Sequence, residues 1–230
     1  MSDGFYDFIE IGTSDFDTLI EKATDEMKGI SIDPLQHFLD RLPNPKNCTK
    51  VCAAILDEQD EIDLHYIKDE DIVKYNLPSF VRGCASLGGR HPFVLTLLAN
   101  KAADNPIPEP IDPDEIYSKK KVPVKRLKDI IDEYKIDEIK ILKIDAEGCD
   151  DKILLDYFEC CEKENYPFPH FIQYEHVLLS NTKIKNLQET AKALHYHVQG
   201  ESLDNTILIK KKEGKICPTC GGKGRVNECI

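Results

Sequence analysis

Three acidic side chains follow directly on an apolar run in the second half of the chain. Residues 139–144 are largely apolar, and Asp145, Glu147 and Asp150 come next, with a glycine among them. Apolar residues then recur at helical spacing over residues 153–158, so the pattern predicts a buried strand, a turn and a helix. In open α/β sheets, ligands bind at the carboxyl ends of parallel strands. These carboxylates are candidates for proton transfer or metal binding, and the alternative is a solvated turn that caps the helix.

Polar residues also follow the first two predicted strands. Glu10, Gly12, Thr13 and Ser14 come at the end of a short apolar strand, and Asp33 ends the second strand, 23 residues after Glu10. Nucleoside-binding α/β folds carry a carboxylate at that second position, where it accepts hydrogen bonds from ribose hydroxyls. The turn after the first strand has only one of the three glycines of a dinucleotide-binding motif, which disfavours a pyrophosphate. A carboxylate beside a glycine-poor turn favours a cationic nucleoside such as S-adenosylmethionine instead.

Residues 143–150, with the sequence KIDAEGCD, resemble the strand-four signature of the FkbM family of S-adenosylmethionine-dependent methyltransferases. The resemblance spans roughly residues 5–210, and Phe16 departs from it because the family often has a glycine there. It implies an α/β fold with a Rossmann-like class I methyltransferase sheet of about seven mostly parallel strands and helices on both faces. Supporting matches are Glu10-Ile11-Gly12, Asp33-Pro34, Ala53-Ala54-Ile55, residues 124–130 and Gln173-Tyr174-Glu175.

The family resemblance implies transfer of a methyl group to a hydroxyl of a sugar or glycan. Asp145 is then expected to be the general base or to orient the acceptor, with Glu175 and His176 as helpers. The alternative is that Asp145 and Glu175, together with Glu147, hold Mg²⁺ or Mn²⁺ against two acceptor hydroxyls. The residues implied for S-adenosylmethionine binding are Glu10, Gly12, Thr13, Ser14, Asp33 and Ala54.

Residues 78–122 are predicted to form a long connection with a short helix near residues 93–99, of the kind that acts as a lid or binding loop. Arg82, Ser86 and His91 lie in this stretch and are candidates for binding the acceptor. Glu147 is a further candidate, although it could instead cap the following helix. Closure over the cofactor could depend on this connection or on a second subunit, so a homo-oligomer is also expected.

Strand-like and helix-like segments alternate along the rest of the chain, which predicts a mostly parallel sheet covered by helices. Residues 16, 19, 20, 23 and 27 share one helical face, so a helix is expected after the first strand. Asp33 and Pro34 are expected to begin a helix that ends near Leu42. Further predicted segments are strands at 51–56 and 62–66, a helix at 124–134, a strand at 171–174, a helix at 184–194, and strands at 196–198 and 206–209.

The last 20 residues, 211–230, are expected to form a tail beside a main domain of residues 1–210. Its segment CPTCGGKG resembles one C-x-x-C-x-G-x-G unit of the zinc-binding repeats of DnaJ-type chaperones. That resemblance implies that Cys217 and Cys220 offer two thiolates to zinc, with Cys229 as a third ligand and a fourth from elsewhere in the chain or another subunit. The alternative is a tail with solvent-facing thiols.

Composition excludes several classes of function. The 230-residue chain has a net charge of −12, which disfavours nucleic acid as a partner. It lacks the roughly 18 consecutive apolar residues of a membrane span, and its N-terminus does not look like a signal peptide, so a cytoplasmic location with reduced cysteines is expected. Two functions are consistent with these features: a sugar-directed O-methyltransferase, and a noncatalytic nucleoside-binding module that engages a partner through its cysteine tail.

Overall fold

The computed structural model of the protein describes residues 3–57, 60–100, 107 and 109–211. The strands are β1 Phe5–Ile11, β2 Gly29–Asp33, β3 Cys48–Cys52, β4 Ala54–Ile55, β5 Asp60–Ile67, β6 Ser86–Leu87, β7 Tyr117–Lys125, β8 Glu138–Ile144, β9 Phe171–Glu175, β10 Tyr196–Glu201 and β11 Asn205–Lys210. The α-helices are α1 Gln36–Arg41, α2 Asp69–Lys74, α3 Pro92–Leu98, α4 Pro113–Ile116, α5 Leu127–Glu133, α6 Asp150–Lys163 and α7 Asn181–Ala193.

The main sheet has seven strands in the order β10-β11-β9-β8-β1-β2-β3. Strands β3, β2, β1, β8 and β9 pair in parallel, whereas β11 is antiparallel to both of its neighbours. The mixed α/β fold with a mostly parallel sheet of seven strands, as predicted from the sequence, is therefore confirmed. The parallel arrangement brings the carboxyl ends of β1, β2, β8 and β9 to the same edge of the sheet.

Helical elements cover both faces of this sheet. Successive residues of a strand point to opposite faces, and Ile9 packs in the large core cluster that contains Leu154 of α6. Its neighbour Phe8 packs in a different cluster with Leu39 of α1. Each buried side chain of this size contributes about 1.5–3 kcal/mol through the hydrophobic effect. The two clusters fix the sheet between its layers and hold the strand ends in place.

A second sheet of four strands, in the order β4-β7-β5-β6, lies between β3 and α5 in the sequence. Helices α2, α3 and α4 accompany it and share an apolar cluster that includes Val94, Leu97 and Ile116. The stretch 78–122, expected to be mainly irregular, therefore contains β6, α3, α4 and most of β7. The lysines at 119, 120 and 121 are exposed on β7. Three charged residues in succession interrupt the alternation of apolar and polar residues by which a strand is predicted from sequence.

Four predicted elements differ from the structure, and the helix after β2 is the fourth. The helix expected after β1 is absent from its place, where only a 3-10 turn forms at Ile20–Lys22, because Ser14 and Asp17 adopt positive φ angles that interrupt helical geometry. The strand expected at 51–56 is split between β3 of the main sheet and β4 of the second. The helix expected at 124–134 begins only at α5, since Val124 belongs to β7.

The helix after β2 also starts later than expected. Asp33 is the last residue of β2, and its side chain accepts a hydrogen bond from the backbone amide of Leu35 at 2.8 Å. Helix α1 follows from Gln36, so Asp33 belongs to the strand end and is not the N-cap of α1. The other predicted strands and helices of the main sheet are confirmed within a few residues at their ends.

Residues 212–230 of the expected tail lie outside the described residues, and the predicted zinc ligands Cys217, Cys220 and Cys229 lie among them. The six cysteines that the structure describes are free thiols. Each helix of the described residues is too short or too polar to cross a lipid bilayer.

Candidate functional site

A cavity of about 660 Å³ opens at the carboxyl ends of β1, β2, β8 and β9. It extends to the second sheet, so residues of both sheets form its walls. The predicted site residues that line it are Gly12, Thr13, Ser14, Asp33, Ala54, His91, Asp145, Glu147 and Glu175. Lining residues that the sequence analysis did not select include Phe16, Phe38, Leu64, Phe80, Cys84, Phe93 and Lys143.

The turn after β1 is held from the end of β2. The Ser14 amide donates a hydrogen bond to Asp33 Oδ2 at 2.8 Å, while Asp33 Oδ1 accepts the Leu35 amide. Burial raises the pKa of Asp33 to about 7, although its backbone hydrogen bonds act in the opposite direction. The Ser14 hydroxyl is buried and has no hydrogen-bond partner among the described residues. The turn therefore presents one unsatisfied polar atom beside a buried carboxyl group.

Gly12 is required at the start of this turn by its backbone conformation and by its neighbour. Its φ angle is +75°, a value that L-residues rarely adopt. A Cβ atom at this position would lie 1.7 Å from the carbonyl oxygen of Asp145, at the end of the adjacent strand β8. The absence of a side chain at Gly12 thus allows the β1 turn and the acidic turn after β8 to be in contact.

Glu10 is buried in the protein interior and does not form part of the cavity wall. It is fully buried, and its carboxylate accepts hydrogen bonds from the Leu19 amide at 2.9 and 3.0 Å. The same carboxylate lies 3.0 Å from Lys143 Nζ, and the ammonium group also donates to the Asp17 carbonyl at 2.9 Å. Lys143 lines the cavity and Glu10 does not. Glu10, which was expected to bind the cofactor, instead holds the segment after β1 in place through these contacts.

Two carboxyl groups at the ends of β8 and β9 have strongly altered acidity. Burial raises the pKa of Asp145 to about 6, and the charge of Glu147 adds to this effect. Burial raises the pKa of Glu175 to about 9, with further contributions from Asp145 and Glu147. Glu175 Oε2 is buried and has no hydrogen-bond partner within the described part of the chain. At neutral pH, Asp145 is mainly ionised and Glu175 mainly protonated.

Asp150, the first residue of α6, ties these two strand ends together. It is completely buried, and its carboxylate accepts hydrogen bonds from the Ala146 amide at 3.3 Å and the Glu175 amide at 3.1 Å. Burial, together with the charge of Asp145, raises the pKa of Asp150 to about 7. The sequence pattern places Asp150 among the acidic residues but does not distinguish this backbone-binding role from a catalytic one.

His91 and Glu147 form a contact between the second sheet's helices and the end of β8. Glu147 has a φ angle of +49°, and its Oε2 lies 2.8 Å from His91 Nε2. The Val94 amide donates to His91 Nδ1 at 3.4 Å, at the N-terminus of α3. Since Nδ1 acts as the acceptor, Nε2 carries the proton and donates it to Glu147. The two residues, both of which were expected to bind the acceptor, are therefore in direct contact.

Besides Glu10, three predicted site residues do not line the cavity. Arg82 pairs with Asp15 at 2.9 Å and lies over the ring of Phe16. Ser86 is buried in β6, and His176 is hydrogen-bonded through Nδ1 to Thr206 Oγ1 at 2.9 Å. The structure therefore does not bring these three side chains to the cavity with the other predicted site residues.

The expected Mg²⁺ or Mn²⁺ ligands are not brought together as a cluster of three. Among the described residues, one group of three side chains has potential metal-ligand atoms that all lie within 4.8 Å of one another. This group contains Glu147 but neither Asp145 nor Glu175. Binding of Mg²⁺ or Mn²⁺ by that pair remains a prediction.

Comparison with known proteins gives one match. A family model, the methyltransferase FkbM domain, matches residues 10–162. The match covers 153 of the 230 residues, from Glu10 in β1 to Glu162 in α6, and so includes Asp33 and Asp145 but not Glu175. No match is found among curated proteins or among solved structures.

Proposed function

Because the chain belongs to the FkbM methyltransferase family, we propose that it transfers a methyl group from S-adenosylmethionine to a hydroxyl group of a sugar or glycan. The observation that carries this proposal is the cavity shared by Asp33 and Asp145. Asp33 belongs to the β2 end, where nucleoside-binding folds hold ribose. Asp145 belongs to the β8 end, and the contact at Gly12 joins the two turns. One cavity thus offers a nucleoside-binding wall and an acidic wall.

The cofactor is proposed to bind along the β1, β2 and β4 side of the cavity. Asp33 would accept hydrogen bonds from ribose hydroxyls, and the unpartnered Ser14 hydroxyl would satisfy a polar group of the ligand. Phe38, Ala54 and Leu64 supply apolar surface for an adenine ring. When bound, S-adenosylmethionine supplies a methyl group already activated by its positively charged sulfur. The negative charge of the cavity favours a cationic ligand of this kind.

The acceptor is proposed to bind between the ends of β8 and β9. Asp145 would accept the proton that the hydroxyl group loses, because its carboxyl group lines the cavity directly after β8 and is mainly ionised at neutral pH. Glu175 would donate a hydrogen bond to the acceptor, since the environment that raises its pKa to about 9 keeps it protonated at neutral pH. Methyl transfer also requires the acceptor oxygen to be aligned with the methyl group and the sulfur. Glu147 and His91 line the same cavity and would help to position the acceptor.

The proposal is tested by calorimetric titration of the full chain with S-adenosylmethionine and S-adenosylhomocysteine, with and without Mg²⁺. Micromolar binding of both ligands is expected, followed by methyl transfer to members of a sugar and glycan panel. Absence of binding to both ligands would overturn the proposal and favour a noncatalytic module. Binding without transfer to any hydroxyl acceptor, together with transfer to an amine or thiol, would overturn the assignment of the acceptor.

A further inference from the structure

Three side chains with different donor atoms converge at one end of the cavity. Cys84 follows the 3-10 turn Ser79–Gly83, His91 caps α3, and Glu147 follows β8. The Cys84 sulfur, an imidazole nitrogen of His91 and a carboxylate oxygen of Glu147 all lie within 4.8 Å of one another. His91 is 4% exposed, and all three residues line the cavity. Two residues of one segment and a third that lies 56 positions after His91 are thus brought into the arrangement of a ligand set.

We propose that Cys84, His91 and Glu147 form a zinc site whose fourth ligand position opens into the cavity. Sulfur, imidazole nitrogen and carboxylate oxygen are the three donor types that Zn²⁺ takes from proteins. Mg²⁺ and Ca²⁺ prefer oxygen donors alone, so the thiol and the imidazole favour zinc over them. Zinc sites with three protein ligands keep the fourth position for water or for an oxygen atom of a substrate.

The electrostatic surroundings also favour a cation at this point. Asp145 lines the same cavity as Glu147 and interacts electrostatically with both Glu147 and Cys84. A Cys84 thiolate and the Glu147 carboxylate would balance the two charges of Zn²⁺, so the core of the site would be neutral. A neutral core is the arrangement with the smallest cost of burial.

The proton balance of zinc binding follows from the hydrogen bonds of the metal-free site. The Cys84 thiol donates to the Phe80 carbonyl at 3.6 Å, and zinc would displace this thiol proton to solvent. At His91, zinc on Nε2 requires the ring proton to move to Nδ1. That move gives up the contact from the Val94 amide, which at 3.4 Å is long for a hydrogen bond. One proton is therefore released for each zinc ion bound.

The test uses the full chain with Cys217→Ser, Cys220→Ser and Cys229→Ser, so that the tail thiols cannot bind the metal. Calorimetric titration of this protein with ZnCl₂ is expected to give one equivalent of bound zinc, with release of one proton measured by repeating the titration in buffers of different ionisation enthalpy. Cys84→Ser or Glu147→Gln on the same background is expected to weaken zinc binding more than about 100-fold, the upper end of the loss seen when only an outer-shell partner is removed.

Cys48→Ser is the matched control, because Cys48 lies in β3 and does not line the cavity. It is expected to leave zinc affinity unchanged, and circular dichroism establishes that each variant is folded. A Co²⁺-loaded sample adds a second readout, since a sulfur-to-cobalt charge-transfer band should disappear in Cys84→Ser and persist in Cys48→Ser. The proposal is overturned if the background protein binds no zinc, or if Cys84→Ser binds it as tightly as Cys48→Ser does. Zinc binding needs no methyl acceptor, so its outcome is separate from that of the S-adenosylmethionine titration.

Discussion

The carboxylate of Asp33 accepts a hydrogen bond from the backbone amide of Ser14 at 2.8 Å, across the ends of two neighbouring parallel strands. The same side chain therefore shapes the turn after β1 and faces the cavity that this turn borders. Removal of the carboxylate should affect both functions, whereas a change at the end of β8 should not.

Asp33→Ala is expected to weaken binding of S-adenosylhomocysteine by more than about tenfold, because a ribose acceptor and the anchor of the Ser14 turn are lost together. Asp145→Asn is expected to leave this affinity within a few-fold and to abolish methyl transfer. Calorimetry measures the first effect, and a transfer assay measures the second. Equal loss of affinity in both variants would contradict this division of roles. Asp40→Ala, on the exposed side of α1, is the control for loss of one negative charge near β2.

The stability of the protein should fall between about pH 4 and pH 7 because of Asp33. Its pKa is raised from 3.8 to about 7 by burial, so below pH 3.8 both the folded and the unfolded state hold the proton. As the pH rises, the unfolded chain ionises first, and the free energy of unfolding decreases until the folded state ionises as well. The effect is at most about 4 kcal/mol.

Asp33→Asn cannot ionise and removes this contribution. The difference in unfolding free energy between Asp33→Asn and the unmodified protein, measured by urea denaturation, should therefore shift in favour of the variant between pH 4 and pH 8. Asparagine keeps only one acceptor oxygen, so one of the two hydrogen bonds from the amides of Ser14 and Leu35 is lost. This loss lowers the stability of the variant at every pH but does not alter the slope. Parallel stability curves for the two proteins would show that Asp33 titrates normally.

Lys143→Met is expected to destabilise the protein by about 3 kcal/mol, because it leaves the fully buried Glu10 without its cationic partner. The double variant with Glu10→Gln should recover part of this loss, since the uncompensated charge is then removed. Lys140→Met on the same strand is the control: its ammonium group is half exposed and 3.8 Å from Asp7, so a change below about 1 kcal/mol is expected. Denaturant unfolding of the unmodified protein, Lys143→Met, Glu10→Gln and the double variant completes the cycle, with Lys140→Met measured beside them. A loss for Lys143→Met no larger than for Lys140→Met would refute the coupling.

Gly12→Ala is expected to cost about 3 kcal/mol or more, because the new Cβ would overlap the Asp145 carbonyl oxygen in addition to straining the backbone. Gly88→Ala separates the two causes. Gly88 has a similar φ angle of +70° with no atom within 4 Å of the added Cβ, so only the backbone cost of about 1–2 kcal/mol applies. Thermal unfolding compares the two variants, and equal losses would show that the contact at Gly12 relaxes without cost.

The sequence was sufficient to predict the parts of the fold whose signals are local. The strands β1, β2, β8 and β9 are short apolar runs that end in polar residues, and their parallel order follows from alternation with helices. The cavity-lining positions of Asp33, Asp145 and Glu175 follow from the same rule, because parallel strand ends share one edge.

The remaining features depend on contacts between distant residues. Strand β7 carries exposed lysines and is recognised only through its pairing with β5 and β4. The segment after β1 shows helical periodicity, yet the Leu19 amide is bound by Glu10 and no α-helix forms there. Cys84 gives no local sign of its position, since the other two ligand atoms of its cluster come from His91, just before α3, and from Glu147 in the turn after β8.

The segment that carries the second sheet begins and ends at neighbouring positions of the main domain. Ala54 pairs with Val124 and Ile55 with Lys125, and the Leu56 amide donates to the Lys125 carbonyl at 3.1 Å. A segment with adjoining ends can be lengthened, shortened or exchanged without moving the strands on either side of it. The cavity wall that contains Cys84 and His91 is thus built on a segment whose length and sequence can change while the Gly12 and Asp33 turns of the main sheet keep their positions.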